Sequence, residues 1–145
     1  MAAIEMRDVL ERCRRFHHQL SEYYAQAELD AQGEEVRAVL DLLAQHERRL
    51  EGCVALYARE ANPAVLGAWF KVAPDDVGKH LLRDTHVPPE ASVSQVLEIA
   101  QRFDQCLVHM YRELIERTQS EEVREALTGL LALEERGQRR LGHVL

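Results

Sequence analysis

The tetrapeptide Glu34-Glu35-Val36-Arg37 recurs 87 positions later as Glu121-Glu122-Val123-Arg124, and the same offset holds on both sides of it. Val9-Leu10-Glu11 falls on Val96-Leu97-Glu98, Arg15-Phe16 on Arg102-Phe103, Leu20 on Leu107 and Tyr24 on Tyr111. Beyond the break at Asp30 to Gly33, Leu40 falls on Leu127, Leu43 on Leu130, Glu47 on Glu134 and Arg49 on Arg136. Identities kept in one register across two segments and the turn between them point to a duplicated unit.

Each copy is patterned as a helical hairpin. Along residues 5–29 the seam Leu10, Cys13, His17, Leu20, Tyr24, Ala27 advances by three and four, which holds those side chains on one helical face. A second helix, to about Glu60, carries Val36, Leu40, Leu43, Glu47, Leu50, Val54 and Tyr57 at that spacing. The third, from about Ser92 to Thr118, carries Val93, Leu97, Ala100, Asp104, Leu107, Tyr111 and Leu114. The fourth, from about Glu121 to His143, carries Val123, Leu127, Leu130 or Leu131, Glu134 and Leu141, with Thr118 or Ser120 as its cap. Two equivalent hairpins that each bury one face predict an all-α fold, a four-helix bundle with pseudo-twofold symmetry, in one domain spanning 1–145.

The boundaries predicted are hairpin 1 over about 5–60, a crossover over 61–91 and hairpin 2 over about 92–144. The crossover far exceeds the few residues that join antiparallel neighbours. It can run the length of the bundle, about 40 Å for a helix of this size. Within it Asn62 and Pro63 predict a capped short helix through about Lys71, with Trp69 and Phe70 packed on the bundle.

Composition narrows the function classes. A net charge of -7, with Arg-rich stretches such as RCRR, HERR and RGQRR interleaved with Glu, argues against a nucleic-acid partner and makes those stretches solvated faces. No apolar run is long enough to span a bilayer and the first residues lack a signal-peptide pattern, so a cytoplasmic protein with no membrane partner is expected. Cys13, Cys53 and Cys106 are odd in number and far apart, as expected of small apolar residues rather than of disulfides or a zinc knuckle.

One polar residue interrupts each seam: His17, Glu47, Asp104 and Glu134. His17 and Glu47 lie equally far from the first turn, and Asp104 and Glu134 equally far from the second. All four therefore reach one layer at mid-bundle. Three carboxylates and an imidazole there need compensation, from shared protons, a bound cation, trapped water, or hydroxyls such as Tyr24 and Tyr111, one heptad after His17 and Asp104.

A duplicated hairpin, a long crossover, one such residue per helix at mid-bundle and those two tyrosines make the chain resemble the ferritin-like superfamily, in particular its rubrerythrin-type domains. The resemblance implies a Glu from helices 1 and 3 and a Glu-x-x-His from helices 2 and 4, six ligands for two irons. Here Leu50 and Gly137 stand where those histidines are expected, His17 replaces one carboxylate, and Asp104 is one methylene shorter than Glu. The set His17, Glu47, Asp104 and Glu134, with Tyr24 and Tyr111 behind it, suits a single divalent ion such as Fe, Mn or Zn. No nucleophilic motif is present, and Cys13, one turn before His17, reads as a core thiol.

The expected function is a ferritin-like bundle without di-iron redox activity, a non-catalytic interaction or regulatory protein with no catalytic residues and no resident cofactor. The alternative is a metal-binding protein, with a mononuclear or atypical dinuclear site, in an oxidase or iron-handling role. Its partner is expected to be a second copy, as a dimer, or another protein, with Phe16, Tyr23, Val39, Phe103 and Met110 as an apolar stripe for self-association unless the crossover covers it. On this reading His17→Ala or Glu47→Ala leaves the fold intact.

Overall fold

A computed structural model of the chain describes residues 3–71 and 78–144. Its elements are β1 (Ile4–Glu5), α1 (Met6–Asp30), α2 (Glu34–Glu60), α3 (Pro63–Leu66), β2 (Trp69–Phe70), α4 (Lys79–Asp84), α5 (Val93–Arg117) and α6 (Glu121–Val144). The four long helices fall where the seams place them. They pack as two hairpins, α1 on α2 and α5 on α6, which meet mainly through α2 against α5 and α6. This is an all-α four-helix bundle with a long crossover between its hairpins.

Local signals set the helix ends. Ser92 caps α5 by accepting from Gln95 N while the Gln95 side chain accepts from Ser92 N, a closed capping box. Ser120 accepts from Val123 N at the start of α6, and Thr118 accepts from Ser120 N just before it. The buried seam includes Leu10, Leu20, Leu40, Leu43, Leu107, Leu114, Leu127 and Leu130, leucines that fill the bundle from all four long helices. Burying a side chain of that size contributes about 1.5–3 kcal/mol each, which dominates any capping effect.

The described residues of the crossover meet α1 near both of its ends and between them. Phe70 pairs with Ile4 and Trp69 with Glu5 in a two-residue antiparallel ladder. Farther on, Gly78 lies against the Phe16 ring, Tyr23 donates to Thr85 O at 3.0 Å, and Gln32 N donates to Pro89 O at 3.0 Å. These contacts climb α1 in sequence order, so the connection spans the bundle. Gly78 is required: its φ is 65°, and a Cβ there would lie 2.1 Å from Phe16 Cε1.

Two expectations are corrected, and of the two placements open for the apolar stripe the structure shows the covered one. The short helix is capped by Asn62, whose Oδ1 accepts from Ala64 N, but it ends at Leu66 rather than near Lys71 because the chain turns at Gly67 into β2. Trp69 and Phe70 do not both pack on the bundle: strand alternation buries Phe70 and leaves Trp69 66% exposed. The stripe Phe16, Tyr23, Val39, Phe103 and Met110 is not a free surface. Phe16, Val39, Phe103 and Met110 are buried, Tyr23 is half-buried, and the crossover contacts Phe16 and Tyr23. Residues 72–77, within the predicted crossover, lie outside the described residues.

Candidate functional site

Each long helix delivers its interrupting residue to the bundle interior. His17, Glu47 and Glu134 are 1%, 2% and 3% exposed, while Asp104 is less deeply buried. His17 Nδ1 lies 2.6 Å from Glu47 Oε2 and its Nε2 lies 2.7 Å from Glu134 Oε1. For both ring nitrogens to donate to carboxylate oxygens at once, the ring must be in its imidazolium form. Burial works to lower the His17 pKa, but the bonds to Glu134 and Glu47 outweigh it and raise it to about 10.

Asp104 is near this trio without joining it. No hydrogen bond reaches its carboxyl among the described residues. Burial first, then repulsion from Glu47 and Glu134, pushes its pKa up to about 8, against a lesser pull from His17. At neutral pH Asp104 is mostly protonated, and the layer holds one imidazolium between two glutamates rather than three anions. A proton on each of His17 and Asp104 is enough to supply the compensation the sequence demands.

The tyrosines play a lesser part than expected. Burial raises both hydroxyls well above their ordinary range, Tyr24 also feeling Glu47 and Asp104, and Tyr111 feeling Cys13 and Glu134. Neither donates to a carboxylate of the layer among the described residues, and the buried Tyr111 hydroxyl lacks a well-formed hydrogen bond, with the Cys13 thiol as its polar neighbour. Burial pushes that thiol up to about 12, so Cys13 is a protonated core residue, as its seam position suggests, and not a nucleophile.

The residue that sequence reasoning missed is His46. It stands beside the seam, yet it is 6% exposed, its Nε2 has no partner among the described residues, and burial lowers its pKa. Gly137 on α6 makes the room. A Cβ at 137 would meet His46 Cε1 at 2.8 Å, His46 Nε2 at 3.3 Å and Leu50 Cδ2 at 3.8 Å. The two positions where the resemblance expects metal-binding histidines therefore face each other, and Leu50 and the ring of His46 fill the space between them. A glycine inside a helix beside a histidine on the facing helix was the available signal. His18, which follows His17 and points about 100° away from it on α1, is by contrast exposed and bridges Glu22 and Glu51 on the surface.

This donor set does not fit a dinuclear iron centre. The imidazolium of His17 engages both glutamates, Leu50 and Gly137 offer no donor, and Asp104 holds a proton. No group of three or more His, Cys, Asp or Glu among the described residues is arranged to hold a metal ion.

No protein-family model matches the chain, and no curated protein matches it. Among solved structures, a crystal structure from Thermotoga maritima described as a candidate ferritin-like diiron-carboxylate protein is similar over 99% of this chain and 95% of its own, with a TM-score of 0.60 at 18% identity. At that identity the likeness shows the fold alone, a ferritin-like bundle. No helix among the described residues is long and apolar enough to cross a membrane.

Proposed function

We propose that this chain is a ferritin-like bundle in which a proton-balanced charge layer has replaced a di-iron redox centre, and that it acts without catalysis, through binding to other proteins or to its own copies. The observation that carries this reading is His17, bound at 2.6 and 2.7 Å to the two glutamates. On the same reading the two hairpins descend from one duplicated unit, which explains why Glu47 and Glu134 end on opposite sides of one imidazole. The exposed indole of Trp69, beside a cavity of about 590 Å³ formed with Arg117 to Ser120, gives the surface an aromatic anchor of the kind binding sites use.

The test is the metal content of the chain purified without affinity tag or chelator, before and after loading with Fe(II), Mn(II) and Zn(II), by plasma mass spectrometry. Far less than one ion per chain is expected, unchanged in Glu47→Gln/Glu134→Gln. One ion per chain, lost in that variant, overturns the proposal. It would favour the second reading, which Asp104 supports: its unpaired carboxyl could lose its proton to a single divalent ion held with Glu47 and Glu134, and an oxidase or iron-handling role would reopen.

A further inference from the structure

The fold brings two of the Arg-rich stretches together. HERR lies on α2 and RGQRR on α6, and Arg49, Arg136 and Arg140 line one cleft between those helices. Arg136 and Arg140 are four residues apart and so share a face. The cleft encloses about 230 Å³ over a floor of His46, Leu50, Leu133 and Gly137, and a second hollow of about 170 Å³, also lined by His46, Arg49 and Arg140, lies beside it. Among the described residues no acidic side chain lines either.

Several arginines elsewhere on the surface are held by acidic neighbours. Arg14, in RCRR, is held by Glu11 and Glu51, Arg124 by Glu121 and Arg117 by Glu113. Arg49, Arg136 and Arg140 have no ion pair or hydrogen bond among the described residues. Glu51 and Glu135, on the same two helices, are paired with Arg14 and Arg112 instead. Three arginines lining one cleft, with no acidic side chain in its lining among the described residues, repel one another, on a chain whose net charge is -7. A bound anion removes that repulsion. Guanidinium forks match the paired oxygens of phosphate and carboxylate groups, and a concave site concentrates their field.

The geometry points to an oxyanion-binding site in the α2/α6 cleft, in which Arg49, Arg136 and Arg140 take the phosphate or carboxylate group of a small molecule. Size favours a small ligand, because the cavity lies below the roughly 300 Å³ at which drug-sized sites begin. The apolar floor of Leu50 and Leu133 accepts a short carbon skeleton attached to that group. This site is independent of the charge layer, and metal content does not bear on it.

The test is calorimetric titration of the full chain with inorganic phosphate, and separately with citrate, at constant ionic strength set by chloride. Saturable binding of at least one anion is expected; which one distinguishes a phosphate from a carboxylate ligand. Arg136→Gln/Arg140→Gln, at exposed unpaired positions, is expected to fold normally and to weaken binding about tenfold or more. Arg48→Gln/Arg139→Gln, on the same helices but outside the cleft lining, is expected to leave affinity within about twofold, since screened surface charge has little effect at that range. The site is excluded if neither anion binds, or if both double variants bind alike. Binding of an oligoglutamate peptide in the absence of phosphate or citrate binding also overturns it, in favour of an acidic protein segment.

Discussion

At the scale of single residues, His17 decides how the bundle tolerates a buried layer of acids. Removing it leaves Glu47 and Glu134 facing each other in the interior with no cation between them. Breaking a buried pair this way costs about 3–5 kcal/mol, a large part of a small domain's stability. His17→Ala is therefore expected to lower the urea midpoint severely or unfold the chain, which revises the view from sequence that the layer is dispensable one residue at a time. Replacing the layer as a unit is a different experiment. His17→Met/Glu47→Met/Glu134→Met removes all three desolvated charges and fills a similar volume, so its stability is expected to match or exceed the parent's. A triple variant as damaged as His17→Ala would show that the charges themselves hold the fold together.

At the scale of elements, the glycines of α6 separate packing from propensity. Gly129 has nothing within 4 Å of where a Cβ would go, whereas at Gly137 that Cβ meets His46. Gly129→Ala is expected to stabilise by about 0.5–1 kcal/mol, the ordinary helix-propensity gain. The same gain at Gly137→Ala is opposed by overpacking of about 1–3 kcal/mol, so net destabilisation is expected there. Adding His46→Ala should relieve it non-additively, and additive effects across that pair in denaturant melts would mean that the ring and the glycine do not compete for space. The contrast also marks what the sequence could reveal. Apolar seams and caps are local and periodic, so the four long helices, the capped start of the crossover and the height of His17, Glu47, Asp104 and Glu134 were legible. Contact across helices is not periodic. That His17 bonds Glu134 as well as Glu47, that Asp104 stays outside the trio, and that His46 turns inward toward Gly137 all depend on which helices become neighbours. The end of α3 at Leu66 and the outward turn of Trp69 were missed for a related reason: a two-residue ladder with Ile4 and Glu5 competed with helix continuation, and its partner is distant in sequence.

At the scale of the molecule, the buried layer ties folding to proton uptake, and the sign follows from the two shifted groups. His17 has a folded pKa of about 10 against an ordinary 6.5, so its contribution is complete below pH 6.5 and is lost as pH rises toward 10. Asp104 is raised from 3.8 to about 8, opposite to the usual carboxylate. The unfolded chain releases that proton first, and stability falls as pH rises from about 4 to 8. Both slopes therefore point the same way, and they overlap between pH 6.5 and 8, where the folded state holds up to two extra protons. Each proton contributes about 1.4 kcal/mol per pH unit, for a combined limit near 2.7 kcal/mol per unit. Unfolding free energy from urea titrations is thus expected to decline steeply from pH 6.5 to 8 and less steeply from 8 to 10. Because both groups lie inside the bundle, added salt should change that decline little. Asp104→Asn, neutral at every pH, should remove the part that Asp104 contributes and leave the His17 slope in place. Stability that stays flat between pH 6.5 and 9 in the parent would mean that His17 is not an imidazolium in the folded chain, and the layer would then need another source of positive charge.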